Sequence, residues 1–201
     1  TVDAAQYKRY AGHPGLPAAS YKLSCHLPSG RSAFSFCVCP GGEVVAAASE
    51  AQGVVTNGMS EFARDKENIN GALLVNVTPE DFGGGDDPLA GVAFQRRLEA
   101  YRPGVTWCDL GQCLPPFVAQ ALREALPVLG RKLRGYDAPD AVLTAVESRS
   151  SSPVRIPRDE TYQAPIRGLY PCGEGAGWAG GILSAAADGM RAAEHVCASI
   201  Q

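Results

Sequence analysis

Residues 173–182 read Gly-Glu-Gly-Ala-Gly-Trp-Ala-Gly-Gly-Ile, and GAGWAG within them fits the pattern G-x-G-x-x-G. In that pattern the glycines form a tight turn that admits a dinucleotide pyrophosphate to a helix N-terminus. The full fingerprint also needs a strand before it, a helix after it, and a second strand with an acid about 20 residues on to hold a ribose. Gly168-Leu169-Tyr170-Pro171-Cys172 reads as a short buried strand, and Ile182 to Ile200 as a long helix. Everything after Gly180 belongs to that helix, and Glu194, at the right count for the ribose acid, falls inside it. The motif is therefore not expected to open a nucleotide-binding βαβ unit. Its geometry still suits a ligand. The first N–H groups of a helix lack partners and carry positive partial charge, which favours an anionic or electron-rich edge. Gly180 and Gly181 let such an edge approach the backbone. Ile182, Ala185, Gly189, Ala192, Ala193 and Val196 line one side of the helix, a small-residue stripe suited to close packing against a sheet.

The chain has seven cysteines, an odd number at irregular spacing, which argues for reduced thiols over a secreted disulfide framework. Cys37 and Cys39 have strand spacing and would share a face. A redox or zinc role would recruit Cys108 and Cys113, but C-x-C with C-x₄-C is not a common zinc pairing, and packing as small apolar groups is the simpler reading. No metal is expected. His13 lies in a loop, His26 on a hairpin strand and His195 on the exposed side of the last helix, and none has a sequence-adjacent catalytic partner. Asn57-Gly58 reads as a hairpin turn. Ser150-Ser151-Ser152-Pro153 is a polar loop that could equally offer hydroxyls to a ligand. Arg131, Lys132 and Arg134 complement the dipole of the helix they end.

The elements that must position these groups fall into two regions. Tyr21–Leu27 and Ser32–Val38 alternate apolar and polar residues around a Pro28-Ser29-Gly30 turn, predicting a hairpin. A second turn at Pro40-Gly41-Gly42 leads to strands over 43–48 and 54–59, and residues 71–78 form the strongest buried-strand candidate. After the loop Phe82-Gly83-Gly84-Gly85-Asp86-Asp87 the period becomes helical: one helix opens at Pro88 and runs to about Tyr101, and a second opens at Pro115 and covers Phe117–Leu133, with Pro127 a point of interruption. Ala141–Val146 reads as a short strand. Of 201 residues, 45% are hydrophobic, enough for a real core, while 23 Gly and 15 Pro imply many turns. The formal net charge of -3 leaves no broad basic surface for nucleic acid. No apolar run reaches the roughly 18 residues of a membrane span and no signal peptide opens the chain, so a cytoplasmic location is expected. The first residue is Thr1, which suggests a piece of a longer protein.

Several stretches carry a family resemblance: Ala-Gly-His-Pro (11–14), Ser-Phe-Cys-Val-Cys-Pro-Gly-Gly (35–42), Val-Thr-Asn-Gly-Met-Ser (55–60), Leu-Ala-Gly-Val-Ala-Phe-Gln-Arg (89–96), the run from Ala141 to Arg155, and the segment from Ile166 through Gly-Trp-Ala-Gly-Gly-Ile. The closing segment resembles that of two-dinucleotide-fold flavoproteins, in which the FAD domain is interrupted by a substrate domain and completed at the C-terminus. More narrowly, the chain resembles the C-terminal part of the uncharacterised FAD-dependent dehydrogenases, also called NAD(FAD)-utilising dehydrogenases. The resemblance implies that Glu174 accepts hydrogen bonds from a flavin ribityl or nearby hydroxyl. It also implies that the backbone at Gly181 and Ile182 donates to the flavin pyrimidine carbonyl, where negative charge gathers on reduction. The family's own G-x-G-x-x-G opening is expected upstream of Thr1, and family members are longer between the equivalents of Glu99 and Pro103.

The expected fold is α+β: a β-rich substrate (insertion) domain with helices over residues 1–136, and a strand-helix segment over 137–201 that completes an interrupted FAD-binding domain. The expected function is part of a flavin-dependent dehydrogenase passing a hydride between a substrate or NAD(P)H and FAD, inactive as this piece. The FAD site of the intact protein would include Gly173, Glu174, Gly180, Gly181 and Ile182, with the partner being the missing N-terminal FAD-domain half. No catalytic residue is identifiable; Cys39 and Asn57 are the substrate-side candidates. The alternative is a structural or ligand-binding domain that binds no cofactor in isolation.

Overall fold

A computed structural model of the chain describes residues 23–50, 53–83, 85–99, 106–139 and 141–200, with the side chains of Cys37, Cys39, Ala48, Ser49 and Glu99 left out. His13 lies outside the described residues. The expected α+β class is observed: antiparallel strands gathered in the first part of the chain and helices in the remainder. By its internal contacts the chain forms two compact units, Thr1–Val77 with Leu98–Glu147, and Thr78–Arg97 with Ser148–Gln201.

In the first unit, β1 (Ser24–His26) and β2 (Ser32–Pro40) make the expected hairpin. Gly30, at φ +81°, turns the chain, and Leu27 and Arg31 close the loop with a 2.8 Å backbone hydrogen bond. Two more strands, β3 (Gly42–Glu50) and β4 (Gly53–Ser60), pair with each other and with no other strand among the described residues, while β5 (Ile69–Val75) adds antiparallel to β2. The result is a three-stranded sheet, β1-β2-β5, and a separate two-stranded ribbon. Residues 71–75 form the expected strand but are half-buried or exposed, because only one side, with Leu73 and Val75, faces the core.

That core is made by a helix. In chain order, α1 (Ala90–Glu99) belongs mostly to the second unit, α2 (Leu110–Cys113) is a single turn, and α3 (Pro116–Lys132) lies on the sheet. Ala121, Ala125 and Leu129 recur along one face of α3 and pack on Cys25, Leu27 and Ala33. Alanines at the contact let helix and sheet approach closely. Pro127 does not interrupt α3; it only removes the N–H that would have reached the Arg123 carbonyl. Lys132, assigned from sequence to the helix dipole, donates to the Ser24 carbonyl and so ties the helix end to β1. Tyr136, whose hydroxyl donates to the Ala72 carbonyl at 3.3 Å, is pushed up to about 12 by burial.

The ribbon is fastened to the sheet by one side chain. Asn70, on β5 and 7% exposed, donates through Nδ2 to the carbonyls of Glu43 (3.0 Å) and Met59 (2.7 Å), which face each other across β3 and β4. Room for that amide comes from glycine: a Cβ on Gly42 would overlap the Asn70 amide, and one on Gly58 would lie 3.2 Å from it. This corrects the reading of Asn57-Gly58 as a turn. The dipeptide is mid-strand in β4, Asn57 opposite Val45 and Gly58 opposite Val44, and the glycine serves close packing.

Two other strand expectations are not met. Residues 141–146 and 168–172 have no strand structure. A strand needs a neighbour to accept its ladder; among the described residues the only such tie to 141–146 is a hydrogen bond from the Thr56 N–H to the Val146 carbonyl at 2.7 Å, and the Leu169 N–H is turned back to its own Ile166 carbonyl at 3.1 Å. The α1 helix begins at Ala90, two residues after Pro88, because the Asp87 carboxylate takes the Leu89 N–H at 2.8 Å and caps the approach.

Asn70→Ala should destabilise the first unit by about 2 kcal/mol, since it strands two carbonyls and leaves a void. Gly42→Ala should do so by overlap with the same amide, and the double variant should lose less than the sum of the two, as measured by urea unfolding.

Candidate functional site

The glycine-rich stretch lies in the second unit, before α4 (Ile182–Ile200). A buried ion pair holds it. Arg158 Nη2 is 2.6 Å from Asp188 Oδ1 and Nη1 is 3.0 Å from Oδ2, the parallel two-bond geometry that suits guanidinium and carboxylate, with side chains only 7% and 12% exposed. Each partner also takes a piece of the loop: Arg158 donates to the Pro171 carbonyl at 2.8 Å, and Asp188 accepts the Gly173 N–H at 2.9 Å. Flat rings enclose the guanidinium, with Tyr162 centred 3.9 Å away and Trp178 4.1 Å away. The Arg158 hydrogen bond, and after it the Gly173 N–H, hold the Asp188 carboxyl below the usual carboxylate range, and the same bond raises Arg158.

The loop itself folds back on residues 154–156. The Ile156 N–H donates to the Ala176 carbonyl (3.1 Å), Trp178 Nε1 to the Ile156 carbonyl (2.8 Å) and Arg155 Nε to the Gly177 carbonyl (2.9 Å). Inside the loop, Gly177 N–H reaches Glu174 O at 2.9 Å and Trp178 N–H reaches Gly173 O at 3.1 Å. Gly177 is required: its φ is +77°, and a Cβ would stand 2.5 Å from the Val154 carbonyl. The middle glycine of the letter match thus serves the fold of the loop.

Of the residues singled out from sequence, Gly173, Glu174, Gly180, Gly181 and Ile182 are brought together around this loop and the start of α4. Gly173 is fixed by Asp188. Glu174 is half-buried, and its carboxylate has no hydrogen-bond partner among the described residues. Nothing lies within 4 Å of the Cβ position of Gly180, and Gly181, at φ +111°, gives its carbonyl to Ala185 N–H (2.9 Å) and Ser184 Oγ (3.0 Å). The N–H groups of Ile182, Leu183 and Ser184 have no acceptor among the described residues, and Ile182 is 87% exposed. Orphan donors, open space beside Gly180 and an unpartnered carboxylate form a cradle able to take a ligand with a carbonyl edge and hydroxyls.

Cys39 and Asn57 are not brought together in one element. Cys39 is opposite Asn70 on β2, just past a bulge after Phe36, and its side chain lies outside the described residues. Asn57 is exposed on β4, its Nδ2 donating to Met59 Sδ at 3.5 Å. His26 Nδ1 is 2.8 Å from Ser32 Oγ on the exposed hairpin. His195, expected to be exposed, is half-buried and stacks on Tyr162 at 4.7 Å.

The stripe on α4 packs on irregular chain where a sheet was expected: Ala192 is buried, and the Cβ position of Gly173 is 3.9 Å from Ala185 Cβ. Sequence reasoning missed Arg158 and Asp188. The available signal was Asp188 itself, a carboxylate among Ala-Ala-Ala and Gly, three residues on from Ala185 and so on the small-residue side.

Antiparallel strands followed by helices, with a glycine-rich loop leading into the last of them, define the class as an α+β protein. The family model for the FAD-dependent protein, C-terminal domain-like, matches residues 1–101 and 99–150, and the chain belongs to that family. The two matches meet where the sequence reading places a shortened connection. A relative from Clostridium beijerinckii (strain ATCC 51743 / NCIMB 8052), named as an uncharacterized protein, is 41% identical over 232 residues, covering 97% of this chain and 43% of the relative. The chain thus spans less than half the relative's length. No helix among the described residues is long and apolar enough to cross a membrane.

Asp188→Asn should cost about 3 kcal/mol at neutral pH, by leaving a buried guanidinium without its counter-charge. Because the folded carboxyl titrates below its ordinary 3.8, the pair's contribution is complete above that value and is lost as pH falls through the lower folded value. Chemical denaturation between pH 2 and pH 7 should show that acid loss in the wild type and its absence in the variant.

Proposed function

We propose that the chain supplies a substrate unit and the closing segment of the flavin site in an FAD-dependent dehydrogenase. The reading rests on family membership and, within the chain, on the cradle at residues 173–182. Bound FAD would supply hydride acceptance and return, with an organic substrate or NAD(P)H as the other party. The residues present fit the group. Glu174, with no partner among the described residues, would accept from a ribityl or nearby hydroxyl. The N–H groups at the start of α4 would donate to a carbonyl on which negative charge gathers. Gly180 would leave room for the ring edge. Arg158 and Asp188 act on the loop and would not touch the flavin; they are positioning residues. Cys39 and Asn57 remain the proposed substrate-side groups.

The rest of the FAD domain is proposed to lie in the remainder of a longer protein, as the relative's length suggests. The exposed apolar residues of α4, with Leu183 85% and Met190 67% exposed, support a docking role for that helix. In the intact protein, Glu174→Ala should weaken flavin retention by on the order of 10-fold, the loss of one hydrogen bond to a charged group. Flavin absorbance after gel filtration measures it. Unchanged retention removes Glu174 from the site. An intact protein that purifies without flavin favours the structural or ligand-binding alternative, and stoichiometric FAD on the 201-residue chain alone overturns the view that the flavin site is shared with a missing half.

A further inference from the structure

Cys108 lies just before the single turn α2 and Cys113 is its last residue; both are exposed, and their sulfurs are 3.4 Å apart. The turn holds them there. Asp109 caps it by accepting the Gly111 N–H at 2.8 Å, the Gln112 N–H reaches the Asp109 carbonyl at 2.9 Å, and the Leu114 N–H reaches the Leu110 carbonyl at 2.9 Å. Arg123, on α3, lies 3.9 Å from Asp109 Oδ1 and fastens the turn to the helix. Closing a bond would bring the sulfurs from 3.4 Å to about 2.05 Å. The loop between them is already formed, so little chain entropy opposes closure.

We propose that Cys108 and Cys113 are a dithiol site for thiol–disulfide exchange with low-molecular-weight disulfides such as oxidised glutathione. The Cys113 thiolate attacks one sulfur of the small disulfide; that S–S bond breaks, one glutathione leaves as thiolate, and a mixed disulfide remains on Cys113. The Cys108 sulfur then attacks Cys113 Sγ, the Cys108–Cys113 bond forms and the second glutathione leaves. The protein dithiol loses two electrons, the small disulfide gains them, and the two cysteine protons end on the two glutathione thiols. The hydrogen bond to Cys113, with burial and the nearby Cys113 and Asp109 charges, pushes the Cys108 thiol above its usual range. The same exchange can begin at Cys108, with Cys113 as the resolving sulfur, because each sulfur stands 3.4 Å from the other. Cys172 and Cys197 are exposed free thiols of the same chain and serve as internal comparisons.

The test treats the reduced full chain with oxidised glutathione, quenches with acid and maps it by mass spectrometry. Trypsin leaves both cysteines on one peptide, Leu98–Arg123. In the wild type that peptide should be lighter by two hydrogens, with the closed form exceeding the glutathione adduct by more than about 10-fold, as expected of preoriented groups. Cys172 and Cys197 should carry glutathione. In Cys108→Ser, Cys113 should retain glutathione, since no second thiol expels it, and Cys113→Ser should trap it on Cys108. A wild-type peptide that keeps glutathione, or that crosslinks to Cys172 or Cys197, overturns the proposal.

Discussion

The arrangement of the C-terminal unit depends on one buried ion pair. Arg158 and Asp188 are nearly enclosed, and two charges withdrawn from water are tolerable only when each satisfies the other and their remaining valences are used. Here they are. Arg158 is sandwiched between the Tyr162 and Trp178 rings and donates to the Pro171 carbonyl; Asp188 takes the Gly173 N–H. The pair therefore ties α4 to the start of the glycine-rich loop, which has no regular structure of its own. Trp178 then fixes the loop against Ile156, which leaves Gly180, Gly181 and the start of α4 facing outward.

The β-rich unit uses a neutral counterpart of the same device. Asn70 is buried, bridges two strands by their carbonyls, and is accommodated only because residues 42 and 58 lack side chains. In both units a polar group inside the structure specifies how two elements meet, while apolar burial, as in the Cys25, Ala33, Ala125 and Leu129 cluster, supplies the driving force.

Family membership and geometry bear on different parts of the chain. The family model covers residues 1–150, whereas the cradle lies at 173–182, inside the span of the Clostridium relative but beyond the family match. The flavin-facing reading of Glu174 and the helix start thus rests on electrostatics that any helix N-terminus supplies, and on the open space that glycines leave there.

The β-hairpin at 24–40, the helices within 90–99 and 116–132, and the helix 182–200 were legible in the sequence, because each carries its own period and turn residues and needs no distant partner to be recognised. That Gly173, Glu174, Gly180, Gly181 and Ile182 share one loop and helix start was legible too, because they fall within ten consecutive residues. Residues 141–146 and 168–172 were misread for the opposite reason: an apolar run becomes a strand only if a neighbour offers a ladder, and that neighbour is not encoded locally. Asn57-Gly58 has turn chemistry by composition, yet it lies mid-strand because Asn70, distant in sequence, needs the space. Arg158 meets Asp188 thirty residues on, and Cys108 meets Cys113 across a turn whose cap sets their spacing. Sequence by itself determined the local elements and the contiguous glycine loop; tertiary structure alone decided which polar groups are buried together, since pairing across long separations depends on which surfaces pack.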